Sequence, residues 1–167
     1  MNGTTMLESN VRYLQIAFNY DQALVRSVLP KIPSSPHILI EAGTPFIKRE
    51  GKDVTLVAIS HMVNLSLKAA EQLEKEDGIS VEVIDLRTIW PWDRVTVLGS
   101  AARTGALLVV HEAVQAGGFG AEIAATAAEE TGCRVRRLGA PRIPSGYASP
   151  LEDESRVTVA QVAAAVR

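Results

Sequence analysis

From residue 44 onward the chain alternates two kinds of pattern. Val54–Ile59, Val81–Leu86 and Ala106–Val110 are short, nearly continuous apolar runs, the pattern of strands covered on both faces. Arg134–Leu138 reads as a further strand, and Thr44–Arg49 as a short one before the turn Glu50-Gly51-Lys52-Asp53. Between the runs, apolar residues recur every three or four positions. Val63, Leu67, Ala70 and Leu73 share one face of a helix over about 63–75, ended by Asp77-Gly78. Ser60 either caps that helix or starts its entry loop. Asp93 is placed as the N-cap of the next helix, with Val95, Leu98 and Ala102 as its apolar side and Gly105 as its break. Gly117 to Gly120 open an alanine-rich helix through Glu130, stopped by Gly132. Pro141, Pro144, Gly146 and Pro150 predict an irregular loop. Val159, Val162, Ala163 and Val166 give a final amphipathic helix. Strands alternating with helices predict an α/β class domain, a three-layer α/β/α sandwich built on parallel βαβ units.

The first 35 residues lack this alternation. Val11 to Val28 predicts a helix, with Leu14, Phe18 and Val25 among its apolar positions, ending at Pro30. Pro33, Ser34, Ser35 and Pro36 read as a linker. The expected organisation is a helical leader with linker over 1–35, to which no role is assigned, and one domain over 36–167.

Composition narrows the function classes. Hydrophobic residues are 47% and charged residues 22% of the 167, ordinary for a globular protein. Net charge is −2 and aromatics are 5%, so neither a basic stripe nor a stacking platform suggests nucleic acid. No apolar run reaches the roughly 18 residues of a membrane span. The N-terminus has neither a secretory nor a mitochondrial pattern, so a cytoplasmic location is expected. Cys133 is the single cysteine. It has no intrachain disulfide partner, no Cys/His cluster suggests a metal, and it reads as a small buried hydrophobe.

Two stretches concentrate the candidate chemistry, each of the form strand, loop, helix. The first is VEVIDLRTIWPWD, from Val81 to Asp93. The second is LLVVHEAVQAGGFGAEIAA, from Leu107 to Ala125. Asp85 and Arg87, or His111 and Glu112, sit where open α/β sheets usually build sites. His111 suits proton transfer near neutral pH. Yet adjacent strand residues face opposite sides, so His111 and Glu112 need not act together. The plainer expectation for Glu112 is that it accepts N–H bonds from the following loop and fixes Gly117 to Gly120. That glycine turn at a helix start could cradle a phosphate. It lacks a full dinucleotide fingerprint and a P-loop lysine, so a tight turn seating Phe119 against a neighbouring surface is expected instead. Asp85 with Arg87 is expected to order the loop to Trp90 and Trp92. Both tryptophans are candidate interface anchors, core packing being the alternative for Trp90. His61 and His37 are assigned no ligand, and Glu152-Asp153-Glu154 is a solvated run that could also meet a basic partner.

These two stretches, with Arg103-Thr104-Gly105 between them and Ala140-Pro141-Arg142-Ile143-Pro144 after them, resemble the C-terminal domain of transketolase-like enzymes. The form is that of the beta subunit of the thiamine-diphosphate-dependent decarboxylase component of 2-oxoacid dehydrogenase complexes. Relatives of that component act on pyruvate, branched-chain 2-oxoacids or acetoin. The resemblance covers roughly residues 40–167, including Arg49 to Ser60. It implies a mixed, mostly parallel five-stranded sheet whose first strand is antiparallel. Arg142 to Gly146 departs from the family pattern, in which an acidic residue often follows the Ala-Pro block.

The resemblance also implies a role. In the parent enzyme thiamine diphosphate and magnesium are held by domains of the alpha subunit and the N-terminal half of the beta subunit, for which this chain has no counterpart. The expected function is therefore a C-terminal assembly domain, with no catalytic residue and no cofactor of its own, and with the isolated chain inactive. Expected partners are a second copy, through Trp90, Trp92 and Gly117 to Gly120, together with the alpha subunit and the acyltransferase component. His111 is the one residue that could approach the cofactor in the full enzyme. The alternatives are the C-terminal domain of a transketolase or deoxyxylulose-phosphate synthase, and a free-standing regulatory domain that binds an anion at the glycine turn.

Overall fold

The computed structural model describes residues 14–18, 31, 38–42, 46–144 and 146–167. The chain divides into two compact units, Met1–Thr44 and Pro45–Arg167. In the first, β1 (Leu14–Phe18) pairs in parallel with β2 (Ile38–Ala42), Leu14 opposite Ile38 and Phe18 opposite Ala42. The helix expected over 11–28 is thus a strand where it is described. The run LQIAF is short enough to fit either period, and its pairing with ILIEA decides for the strand. That pairing carries 38–42 into the first unit. Pro30 and the linker residues 33–36 lie outside the described residues.

The second unit is built on five strands in the order β3 (Phe46–Arg49), β5 (Val81–Asp85), β4 (Val54–Ala58), β6 (Ala106–Val114) and β7 (Arg134–Ala140). β3 runs antiparallel to β5, and every other neighbouring pair is parallel. This is the mixed sheet with an antiparallel edge that the resemblance implied.

Alternation along the strands sorts the core into two layers. Leu56, Ala58, Val81, Val83, Leu108 and Val110 face one side and pack under α1 (Met62–Asp77) and α5 (Val159–Val166). Val57, Ile84, Leu107 and Val109 face the other, under α2 (Arg94–Thr104) and α3 (Gly120–Thr131). Two layers of helices on one sheet give the three-layer α/β/α sandwich. A short helix, α4 (Ser149–Ser155), lies in the proline-rich segment read as irregular. Pro150 occupies its first turn, where a missing N–H costs nothing.

The helix ends follow local chemistry. Asp93 caps α2 by accepting from the Thr96 N–H at 3.1 Å. Thr158 and Gln161 form a reciprocal capping box on α5. Ser60 takes the other of its two expected roles: it has φ 57° and starts the entry loop of α1, with no side-chain cap at that end.

The inward face of α2 is only partly the expected one: Leu98 packs on the core, but Ala102 and Val95 are exposed. Val95 is 81% exposed, while Val97, Ser100 and Ala101 are buried. A buried polar network selects this face. Glu82, 4% exposed, accepts from Ser100 and, at 2.7 Å, from Arg103. Thr55 Oγ1 lies 2.6 Å from the Ser100 hydroxyl and 2.8 Å from that of Thr104, and Arg103 also donates to the Gly51 carbonyl. With Ser100 and Thr104 satisfied inside, Val95 is left outside.

Candidate functional site: the carboxyl edge of β6

His111 and Glu112 part company at the end of β6. His111 has the parity of Leu107 and Val109 and turns toward α3. Glu112 has the parity of Leu108 and Val110 and turns toward α1 and α5. His111 is 3% exposed, and its Nδ1 lies 3.0 Å from the Ala113 carbonyl oxygen. Since a carbonyl only accepts, Nδ1 carries the proton in that bond, and Nε2 is buried with no hydrogen-bond partner.

Two glycines of the turn lie against this ring, Gly118 also against the Val114 carbonyl oxygen. A Cβ on Gly118 would stand 2.6 Å from His111 Cε1, and one on Gly120 2.5 Å from Cδ2 and Nε2. A Cβ on Gly139, from β7, would stand 2.8 Å from Cε1. Real Cβ atoms do not approach so closely, so three glycines form a close cage around one imidazole. Gly117 has φ 82°, a left-handed conformation that turns the chain into the cage. The side of Gly118 and Gly120 on which a side chain would stand is packed against His111. The ordering of the turn, expected from Glu112, belongs to His111; Glu112 is exposed on the opposite face.

Phe119 is half-buried and packs against its own domain's core, as Ile59 and Leu98 also do. Gly117 is exposed and Gly120 buried. Trp92 is 4% exposed within the α2/α3 layer, with Arg94 stacked 5.4 Å from its ring centroid, whereas Trp90 is 78% exposed. Trp92 is therefore core, whereas Trp90 points outward, beside exposed Ile89. Asp85 lies between Arg87 at 3.4 Å and Lys48 at 3.8 Å. Cys133 is a buried free thiol in the α2/α3 layer. Among the described residues no three His, Cys, Asp or Glu side chains converge as metal ligands. Without such a cluster the described residues do not fit a magnesium-bound diphosphate headgroup. No helix among them is long and apolar enough to cross a membrane.

Sequence reasoning missed the cleft on the α1/α5 side of β6. Its lining comes from four separate segments, including His61, Glu112, Ile143 and Val157. No local motif brings these together; only strand order does.

The chain matches the family described as transketolase, C-terminal domain, over residues 43–162. It is 48% identical over 114 residues to the beta subunit of mitochondrial pyruvate dehydrogenase from Pisum sativum, covering 66% of this chain and 32% of that one. It is 36% identical over 147 residues to the beta subunit of 2-oxoisovalerate dehydrogenase from Bacillus subtilis, covering 85% of this chain and 44% of that one. Among solved structures, a chain described as split gene transketolase, inactive beta4 tetramer, superposes with a TM-score of 0.69 at 32% identity. That match covers 91% of this chain and 56% of that one. The chain thus spans a third to somewhat under half of the length of these dehydrogenase subunits. It belongs to the transketolase C-terminal domain family, of the type found in the beta subunits of pyruvate and 2-oxoisovalerate dehydrogenases.

Proposed function

We propose that residues 45–167 are an assembly domain of a 2-oxoacid dehydrogenase beta subunit, self-associating and docking the alpha subunit and the acyltransferase component. The observation that carries the reading is Trp90, 78% exposed and flanked by Ile89 at 49%. A large aromatic held outward beside a branched aliphatic is the composition of an interface centre. The similar split-gene transketolase, inactive as a beta4 tetramer, supports self-association without activity. Thiamine diphosphate and magnesium belong, in this reading, to the rest of the parent enzyme, and no step of its chemistry is carried by the residues described.

Two measurements test it. Light scattering on the 167-residue chain should give a dimer or higher oligomer. Trp90→Ala should weaken association by 2 kcal/mol or more, roughly thirtyfold in Kd, with an unchanged melting temperature. A monomeric wild-type chain, or a variant that associates equally well, removes the assembly reading. Calorimetry with thiamine diphosphate and magnesium should show no saturable binding; micromolar affinity would return catalysis to this chain. A transketolase role is the weaker alternative, since the dehydrogenase subunits are the more similar in sequence.

A further inference from the structure

A cleft of about 870 Å³ opens at the carboxyl ends of the parallel strands. Its place follows from chain connection. The loop after β4 leads to α1 on one face of the sheet, while the loop after its neighbour β6 leads to α3 on the other. Where adjacent strands send their loops to opposite faces, the carboxyl edge splits open, and α/β domains bind small molecules in that crevice. The volume lies within the range of about 300–1,000 Å³ typical of ligand pockets.

The apolar part of the lining comes from Met62, Leu65, Val114, Ile143, Val157 and Val159, and polar side chains supply a comparable share of it. Most polar groups around it are committed elsewhere. Thr158 Oγ1 accepts from the Gln161 N–H at 3.3 Å, closing the cap of α5. Ser155 donates to the Glu152 carbonyl at 2.7 Å. Arg156 is held by Glu152 at 3.0 Å and Asp153 at 3.1 Å. The Glu112 and His61 side chains remain, each without an ion-pair or hydrogen-bond partner among the described residues. The cleft therefore joins a hydrocarbon wall to an uncompensated carboxylate.

We infer that this cleft binds a small organic cation with an aliphatic body. Its ammonium head sits on Glu112, and its chain lies on Met62, Leu65, Val157 and Val159. Arg156, the cation of the lining, is already held by Glu152 and Asp153, so Glu112 keeps its charge unpaired and repels an anion; the site differs in chemistry from the phosphate cradle that the glycine turn suggested. Burial of the aliphatic part supplies affinity, and the charge-assisted hydrogen bond to Glu112 supplies selection. The inference stands apart from the assembly reading, since Trp90 and Ile89 do not line the cleft.

The test is calorimetric titration of the whole chain with pentylammonium, pentanol and pentanoate in parallel. Pentylammonium binds saturably with one site, and the other two bind at least about tenfold more weakly. Glu112→Gln, at an exposed position where folding is not at stake, loses about tenfold for pentylammonium and nothing for pentanol. Glu129→Gln, on the exposed side of α3, behaves as wild type. Leu65→Trp, checked for folding by circular dichroism, fills the cleft and removes binding. Equal binding of pentanoate, an unaffected Glu112→Gln, or no saturable binding at millimolar concentration overturns the inference.

Discussion

Gly120→Ala is expected to destabilise the second unit by about 2 kcal/mol, although alanine is the better helix former by up to about 1 kcal/mol. Gly120 is the first residue of α3, and a methyl there would stand 2.5 Å from two ring atoms of His111 and 3.1 Å from Val109 Cγ1. The ring has no easy escape. It is 97% buried, tied through Nδ1 to the Ala113 carbonyl, and bounded by Gly118 and Gly139. Overpacking therefore outweighs the gain in helix propensity. The decisive measurement is a double-mutant cycle by urea denaturation. His111→Ala alone destabilises by leaving a cavity, but in that background Gly120→Ala should cost nothing or even stabilise. The same cost in both backgrounds would show that the turn's glycines are not there to accommodate the imidazole.

Glu82→Ala should cost about 3 kcal/mol, at the lower end of the range for breaking a buried pair. The Glu82 side chain is only 5% exposed, and its loss takes away the acceptor for both Ser100 and Arg103. Two compensations keep the figure down. Arg103 is 49% exposed and can return to water, and Ser100 keeps its bond to Thr55. Glu82→Gln retains the shape and one acceptor oxygen, so it should cost clearly less, about 1 kcal/mol. Chemical denaturation of the three proteins checks the order. If alanine is tolerated as well as glutamine, the network does not fix the seating of α2.

How far the sequence went differs between elements. The strands Val54–Ala58 and Val81–Asp85 were legible because burial on both faces demands continuous apolar runs, and few other structures do. The helix α3 was legible because Gly132 ends it in a left-handed cap. The face of α2 was legible only in part, because its inward residues include Ser100 and Thr104. Their burial depends on Glu82 and Thr55, each far away along the chain. Leu14–Phe18 was misread because five residues do not separate one period from the other, and its partner strand lies beyond the segment itself.

The candidate site divides in the same way. The sequence by itself determined the family, the layered sheet, and the positions of His111, Glu112 and the glycine turn along the chain, since these depend on local order and period. Only the tertiary structure decided what they face. It turned His111 inward and packed the ring against the glycine turn. It turned Glu112 into a cleft made by four distant segments, and it separated Trp90 from Trp92 into surface and core. The physical reason is that period fixes which residues share a side, whereas what covers that side depends on how the whole sheet is connected.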